Sequence, residues 1–239
     1  MIIDTEFMAA AFPLLAKAVP MTLFLTFFPL LLALTPAFLI ALIRIRGKGL
    51  GNELASSYIS LVRSTPLVLQ ILLLYSLLPS FLNMIVKSAG SSFNVFEEIN
   101  TLWYAVIIFT LHAIAILAEV FRSAILAIPK GQMEAGLTAG LSRLHIYADV
   151  IIPQAMVSAF PNICNLTVNL VKGTSLAFFM GVKDILAEAK IEAAFGYNYI
   201  EAYLEVFLFY IVICTVVQVA YRLAERRIGA YRFAGQEGL

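Results

Sequence analysis

The chain has 239 residues, 62% of them hydrophobic and 13% charged, with a formal net charge of +1. Soluble domains hold about 45–50% apolar residues, so the composition excludes an ordinary water-soluble fold. Near-neutral charge gives nucleic acid or an acidic partner no electrostatic footing.

A helix needs about 20 apolar residues to cross a hydrocarbon layer about 30 Å thick, so this length accommodates five spans with their loops and no separate soluble domain. Asp4 and Glu6 precede any basic residue. That is the wrong sign for the start of a secretory signal peptide, so the apolar runs are expected to be retained. The first run covers 19–43 and contains Pro29 and Pro36, which a membrane helix tolerates where neighbours satisfy the freed carbonyls. Arg44, Arg46 and Lys48 close it.

The second run covers 54–82. Residues 67–81 alone rise only about 22 Å, so the helix is predicted to begin before Pro66, with Arg63 inside or at the edge of the span. The third run covers 102–126, the fourth 154–180 and the fifth 199–223. The fold class is therefore an all-α integral membrane protein, a single transmembrane domain over 1–239. Cys164 and Cys214 fall inside apolar runs, where a thiol packs as a small hydrophobe.

Five spans put the termini on opposite faces. Arg44, Arg46, Lys48, Arg63, Arg122, Lys130, Arg143, Arg222, Arg226, Arg227 and Arg232 fall on one side, and Lys17, Lys87, Lys183 and Lys190 on the other, with Lys172 left within the bilayer. Basic residues mark the cytoplasmic face, which predicts a multi-pass cell-membrane protein with its N-terminus outside and its C-terminus in the cytoplasm.

One segment breaks the apolar pattern. Residues 129–153 read PKGQMEAGLTAGLSRLHIYADVIIP, too polar to span and too apolar on one stripe for a plain solvated loop. Two short helices are predicted: Gly140 ends the first in the left-handed conformation, Ser142 caps the second, and Pro153 opens the fourth span. On physical grounds alone this is an amphipathic hairpin resting on lipid headgroups.

Glu134, Ala135, Gly136, Gly140, Val150, Ile152 and Pro153 follow the spacing of the "EAA" signature of ABC importer permeases. Gly136 stands for the second alanine, Val150 for isoleucine and Ile152 for leucine. Further segments resemble the polar amino-acid, histidine/glutamine type branch: Arg63-Ser64-Thr65-Pro66-Leu67 with Gln70, Ala118-Glu119-Val120-Phe121-Arg122, Ile128-Pro129-Lys130-Gly131-Gln132, and Asn165 with Val171-Lys172-Gly173-Thr174-Ser175-Leu176. Glu201-Ala202-Tyr203-Leu204 and Glu225-Arg226-Arg227 complete the series. The resemblance covers about residues 19–227 and implies the type I importer permease fold, with 129–150 as the coupling helix region that docks in a cytoplasmic ATPase subunit. It also implies a second permease subunit, identical or a paralogue, and an extracytoplasmic solute-binding protein. The stretch Tyr199-Ile200-Glu201-Ala202-Tyr203 is most similar to the cystine-transporting members, which makes L-cystine the leading substrate. Many relatives carry Asp where this chain has Gly173, which speaks against a cationic substrate.

No G-x-x-x-x-G-K-[ST] loop occurs, so phosphates are not cradled here by the usual means and no cofactor is expected. Ionisable and polar groups within spans are candidates for the substrate path. Lys172 leads, with Asn165 and Asn169 on the same helix side at offsets of seven and three. Its ammonium would attract a carboxylate; the alternative is a structural lysine paired or snorkelling outward. Thr174 and Ser175 either donate to substrate or bond back to their own helix. Gln70 lines the path or bonds across helices. Glu119 and Arg122, three apart, are expected to form a local ion pair.

His112 is expected to be a helix contact, because no second histidine lies at metal spacing. Two competing functions are a gradient-driven carrier or channel, which needs no docking hairpin, and a membrane enzyme. An enzyme would need a cluster of reactive groups, and the sequence has only His112 and His145.

Overall fold

The computed structural model describes residues 3–233, and of 228–233, where Arg232 falls, the backbone only. The described chain is a bundle of helices: α1 (Thr5–Arg46), α2 (Leu50–Ser64), α3 (Leu67–Ser88), α4 (Val95–Glu98), α5 (Thr101–Leu126), α6 (Lys130–Thr138), α7 (Arg143–His145), α8 (Ile152–Gly173), α9 (Ile185–Gly196) and α10 (Tyr199–Phe233). A π-helical turn over Ile146–Ile151 joins α7 to α8, and a 3-10 segment over Thr174–Met180 extends α8. Among the described residues, five stretches are long and apolar enough to cross a membrane: Thr5–Arg46, Leu67–Ser88, Thr101–Leu126, Arg143–Met180 and Tyr199–Arg227.

The bundle is organised around α5, where Phe109, Ala113, Leu117 and Ala118 are fully buried. Along one side of α5 runs α1, presenting the small residues Ala33, Ala37 and Ala41 at four-residue intervals, all buried. In a bilayer apolar burial gives no net drive between helices, so close approach through such residues is what holds the pair. α8 packs against another side of α5, and α9 and α10 pack against α1 and α8 around Leu15, Val171, Ile185 and Ala189.

Several predicted boundaries are corrected. The first helix begins at Thr5 rather than 19, because Asp4 caps it: its carboxylate accepts from the Phe7 N–H at 2.9 Å. Pro13 and Pro20, like Pro29 and Pro36, are absorbed inside it.

The second span is not one helix through Pro66. Thr65 is extended, with φ −110° and ψ 140°, the conformation that a following proline imposes. The chain breaks there into α2 and α3. The freed carbonyls are satisfied locally: Gln70 Nε2 donates to Val62 O at 2.7 Å and Thr65 Oγ1 to Leu61 O at 2.9 Å. A Cβ built on Gly173 would lie 3.0 Å from Leu67 Cδ2 and 3.7 Å from Phe109 Cε1. The break therefore sits beside the middle of α5 rather than at one of its ends.

In the polar insert, α6 ends at Gly140 with φ +80°, and Leu141 N–H closes onto Gly136 O at 3.0 Å. Ser142 caps α7, accepting from His145 N–H at 3.3 Å. The predicted second short helix is not separate, however. It runs through the π turn directly into α8, where Pro153 has no N–H to return to the preceding turn; one residue on, Gln154 Nε2 donates to Val150 O at 2.9 Å. The last span is longer than predicted, and α9 is an element the apolar pattern did not announce. Its N-cap is Asp184, fully buried, which accepts from Ala187 N–H at 2.9 Å and from the Tyr210 hydroxyl at 3.0 Å. Burial pushes the Asp184 carboxyl above the usual carboxylate range, opposed by these hydrogen bonds.

Candidate functional site

Two surfaces are the candidates for contact with partners or solute, a polar face on α8 and the exposed α6. On α8, Asn162, Asn165, Asn169 and Lys172 are exposed at alternating offsets of three and four, while Ile163, Leu166, Val168 and Val171 are buried on the opposite side. That periodicity gathers three amides and one ammonium on a single face of a membrane-crossing helix. Asn162, unremarked in the sequence, belongs to it; the 3.6-residue period extended one turn from Asn165 would have found it. Below this face Asn165 and Cys164 border a cleft of about 240 Å³ shared with Gln218, Tyr221, Arg222 and Glu225 of α10.

Lys172 has no carboxylate within ion-pair distance among the described residues. The structural alternative of an intrasubunit ion pair is therefore not realised. Of its two readings, Thr174 shows the bond back to its own helix. It is fully buried, its hydroxyl donating to Val171 O at 2.8 Å and lying 3.3 Å from the Tyr210 hydroxyl. Ser175 likewise bonds back, to Lys172 O at 2.8 Å. Gln70 bonds across helices, with Oε1 3.0 Å from His112 Nδ1 while its amide ties down the Pro66 break.

Glu119 and Arg122 form the expected local pair, Arg122 Nε donating to Glu119 Oε2 at 3.2 Å. Sequence spacing did not reveal the third member. Arg44 of α1 also binds Glu119, and its Nε donates to Ser56 Oγ of α2 at 3.2 Å. One carboxylate thus joins α1, α2 and α5.

The α6 knob is exposed almost all round. Glu134 and Ala135 face outward, and Leu137, Leu141 and Leu144 present apolar side chains, Leu144 at 77% exposure. Only Met133 and Gly136 turn inward, and Gly136 rests on the fully buried Ile146. A methyl group on Gly136 would lie 2.7 Å from Ile146 Cγ1, which explains why glycine stands where the signature has alanine. Pro153 opens α8 on the same side of the molecule.

Gly136→Ala is accordingly expected to destabilise the knob, although it restores the commoner residue. Overpacking of this kind costs about 1–3 kcal/mol. Thermal unfolding in detergent would register a lower midpoint, and Gly136→Ala should cost less in an Ile146→Ala background, where the γ carbons it meets are gone. An unchanged midpoint for Gly136→Ala would remove the packing explanation.

Among the described residues no group of three or more His, Cys, Asp or Glu side chains converges as a metal site.

The model of the family described as binding-protein-dependent transport system inner membrane component matches residues 7–230. A probable amino-acid permease protein, YxeN of Bacillus subtilis (strain 168), is 34% identical over 224 residues, covering 94% of this chain and 95% of that protein. The L-cystine transport system permease protein TcyL of the same organism is 30% identical, covering 90% of this chain and 87% of that protein. The crystal structure of an amino acid ABC transporter with histidines superposes with a TM-score of 0.79 at 28% identity, over 95% of this chain and all of that one.

Proposed function

The chain belongs to the binding-protein-dependent transport system inner membrane components, as a permease of the amino-acid ABC importers, and from that premise we propose how it works. Two permease subunits, this chain with a second copy or a paralogue, enclose a path between their α8 faces. A cytoplasmic ATPase subunit grips α6, and an extracytoplasmic solute-binding protein delivers the solute. The N-terminus lies outside and the C-terminus in the cytoplasm, a placement that the distribution of basic residues supports.

The observation that carries this reading is the face of Asn162, Asn165, Asn169 and Lys172. An unpaired ammonium and three amides facing lipid would be too costly, so in the working assembly this face borders water, solute or another subunit. Its chemistry selects the solute. It offers one cation for a carboxylate, amides for neutral polar groups, and no carboxylate for a cationic side chain.

We further propose that the solute is a zwitterionic polar amino acid, with L-cystine first among them. The cystine permease relative and the Tyr199–Tyr203 stretch support that choice. At Gly173, where many relatives carry Asp, the Leu67 side chain occupies the space a larger residue would enter.

Vesicles containing this chain, the ATPase subunit and the solute-binding protein are expected to concentrate the amino acid only when ATP is supplied. Accumulation by the chain alone on an ion gradient would overturn the importer reading. Thermal stabilisation of the binding protein across a panel of amino acids identifies the solute, since a ligand at 100 times its Kd adds about 2.7 kcal/mol. Stabilisation by arginine or lysine and not by cystine would overturn the zwitterion assignment.

A further inference from the structure

Arg44, Ser56, Ser60, Arg63, Ser64 and Glu119 line an open cleft of about 410 Å³ between α1, α2 and α5. Pockets that hold small solutes measure about 300–1,000 Å³. Its depth follows from the Leu67–Gly173–Phe109 contact, which sets the end of α2 beside the middle of α5. Buried Ile59 and Val62 fix the inward side of α2, and the exposed leucines Leu50, Leu54 and Leu61 mark another. Ser56, Ser60 and Arg63, at offsets of four and three, form a third face.

The charges in this cleft do not balance. Glu119 is already shared by Arg44 and Arg122, and Arg63 has no carboxylate within ion-pair distance among the described residues. A guanidinium at that depth needs water or an anion beside it. Guanidinium also matches the planar, two-oxygen geometry of a carboxylate.

We propose that this cleft is a second carboxylate station on the translocation path, lying on the cytoplasmic side of Lys172 and receiving the solute's carboxylate once it leaves that ammonium. The proposal rests on the path and orientation given under the proposed function. The serine hydroxyls hydrate the departing solute, and Arg63 supplies the charge. An oxyanion could also reach the cleft as the phosphate of a lipid headgroup, and the test separates the two sources.

The test uses the assembled permease–ATPase complex in lipid nanodiscs, with Cys164→Ser and Cys214→Ala removing the native thiols. Ser60→Cys is introduced and its modification rates are measured with anionic sulfonatoethyl and cationic trimethylammonioethyl methanethiosulfonates. Both reagents are expected to react. The anionic-to-cationic rate ratio should fall about fivefold on Arg63→Gln, the size expected of one unit charge acting oppositely on the two across water, and return with Arg63→Lys.

No reaction at Ser60→Cys, or a ratio indifferent to Arg63→Gln, overturns the station. Reaction in phosphatidylcholine discs that is blocked in phosphatidylglycerol discs assigns the cleft to lipid and overturns it as well. Asn169→Cys is the reference: if it reacts while Ser60→Cys does not, the station fails alone, and if neither reacts the path itself fails. Ser64→Cys replaces Ser60→Cys should the latter not assemble.

Discussion

Glu134→Lys is expected to cut ATP-driven uptake at least about tenfold while leaving the helical bundle intact. The side chain is exposed in the middle of α6 and touches nothing that holds the subunit together, so the substitution should change stability by no more than about 0.5 kcal/mol. The docking surface is different. There a reversed charge at the centre of a small interface costs about 2 kcal/mol or more, about thirtyfold in affinity for the ATPase subunit. Two measurements check this together: the unfolding midpoint of the isolated subunit, expected to stay put, and uptake by the reconstituted complex, expected to fall at least about tenfold. Wild-type uptake would mean that α6 does not transmit the ATPase's work through Glu134.

Lys172→Ala should show the opposite signature, a fully assembled complex that turns over slowly. Lys172 is exposed on α8, and no carboxylate pairs with it among the described residues, so its removal leaves no buried charge behind. What is lost is a charge-assisted contact to the solute's carboxylate, about 1.5–3 kcal/mol and hence about 10–150-fold in uptake at limiting solute. Lys172→Arg should keep a substantial part of the rate. Binding of the ATPase subunit is the control and should not change. Unaltered uptake kinetics for Lys172→Ala would return the lysine to a purely structural role.

The apolar runs were legible because helix cores and lipid-facing surfaces are both apolar, so every crossing helix stands out by composition whatever its environment. Their ends were not. In the sequence Asp4 reads as a charge unsuited to a signal peptide, whereas its effect is to cap α1 and extend it back to Thr5. At Pro66 the restriction on the preceding residue was present in the sequence, but span length argued for continuity and concealed the break. Helix α9 escaped because it is short and rich in alanine, with no periodic contrast to mark it.

The functional residues divide along the same line. The exposed row through Lys172 follows from helical period alone. Arg44 could not be foreseen, because its partner Glu119 is 75 positions distant and nothing local in either segment announces the other.

The run from Arg143 to Met180 is helical for 38 residues without a left-handed or extended interruption. Helix α6 is separated from this run by Gly140 and is seated on its first turns by Gly136 against Ile146, so under the proposed function α6 pushes on one end of a lever that carries Lys172 toward the other. From Pro153 to Lys172 the axis measures about 28 Å. A tilt of only about 5° imposed near α6 would sweep the ammonium through about 2.5 Å at that radius, enough to make or break a hydrogen bond to a carboxylate. Under the proposed function, a distant nucleotide cycle would then need no relay of rearranging side chains to loosen its cargo, only a push on one end of this helix.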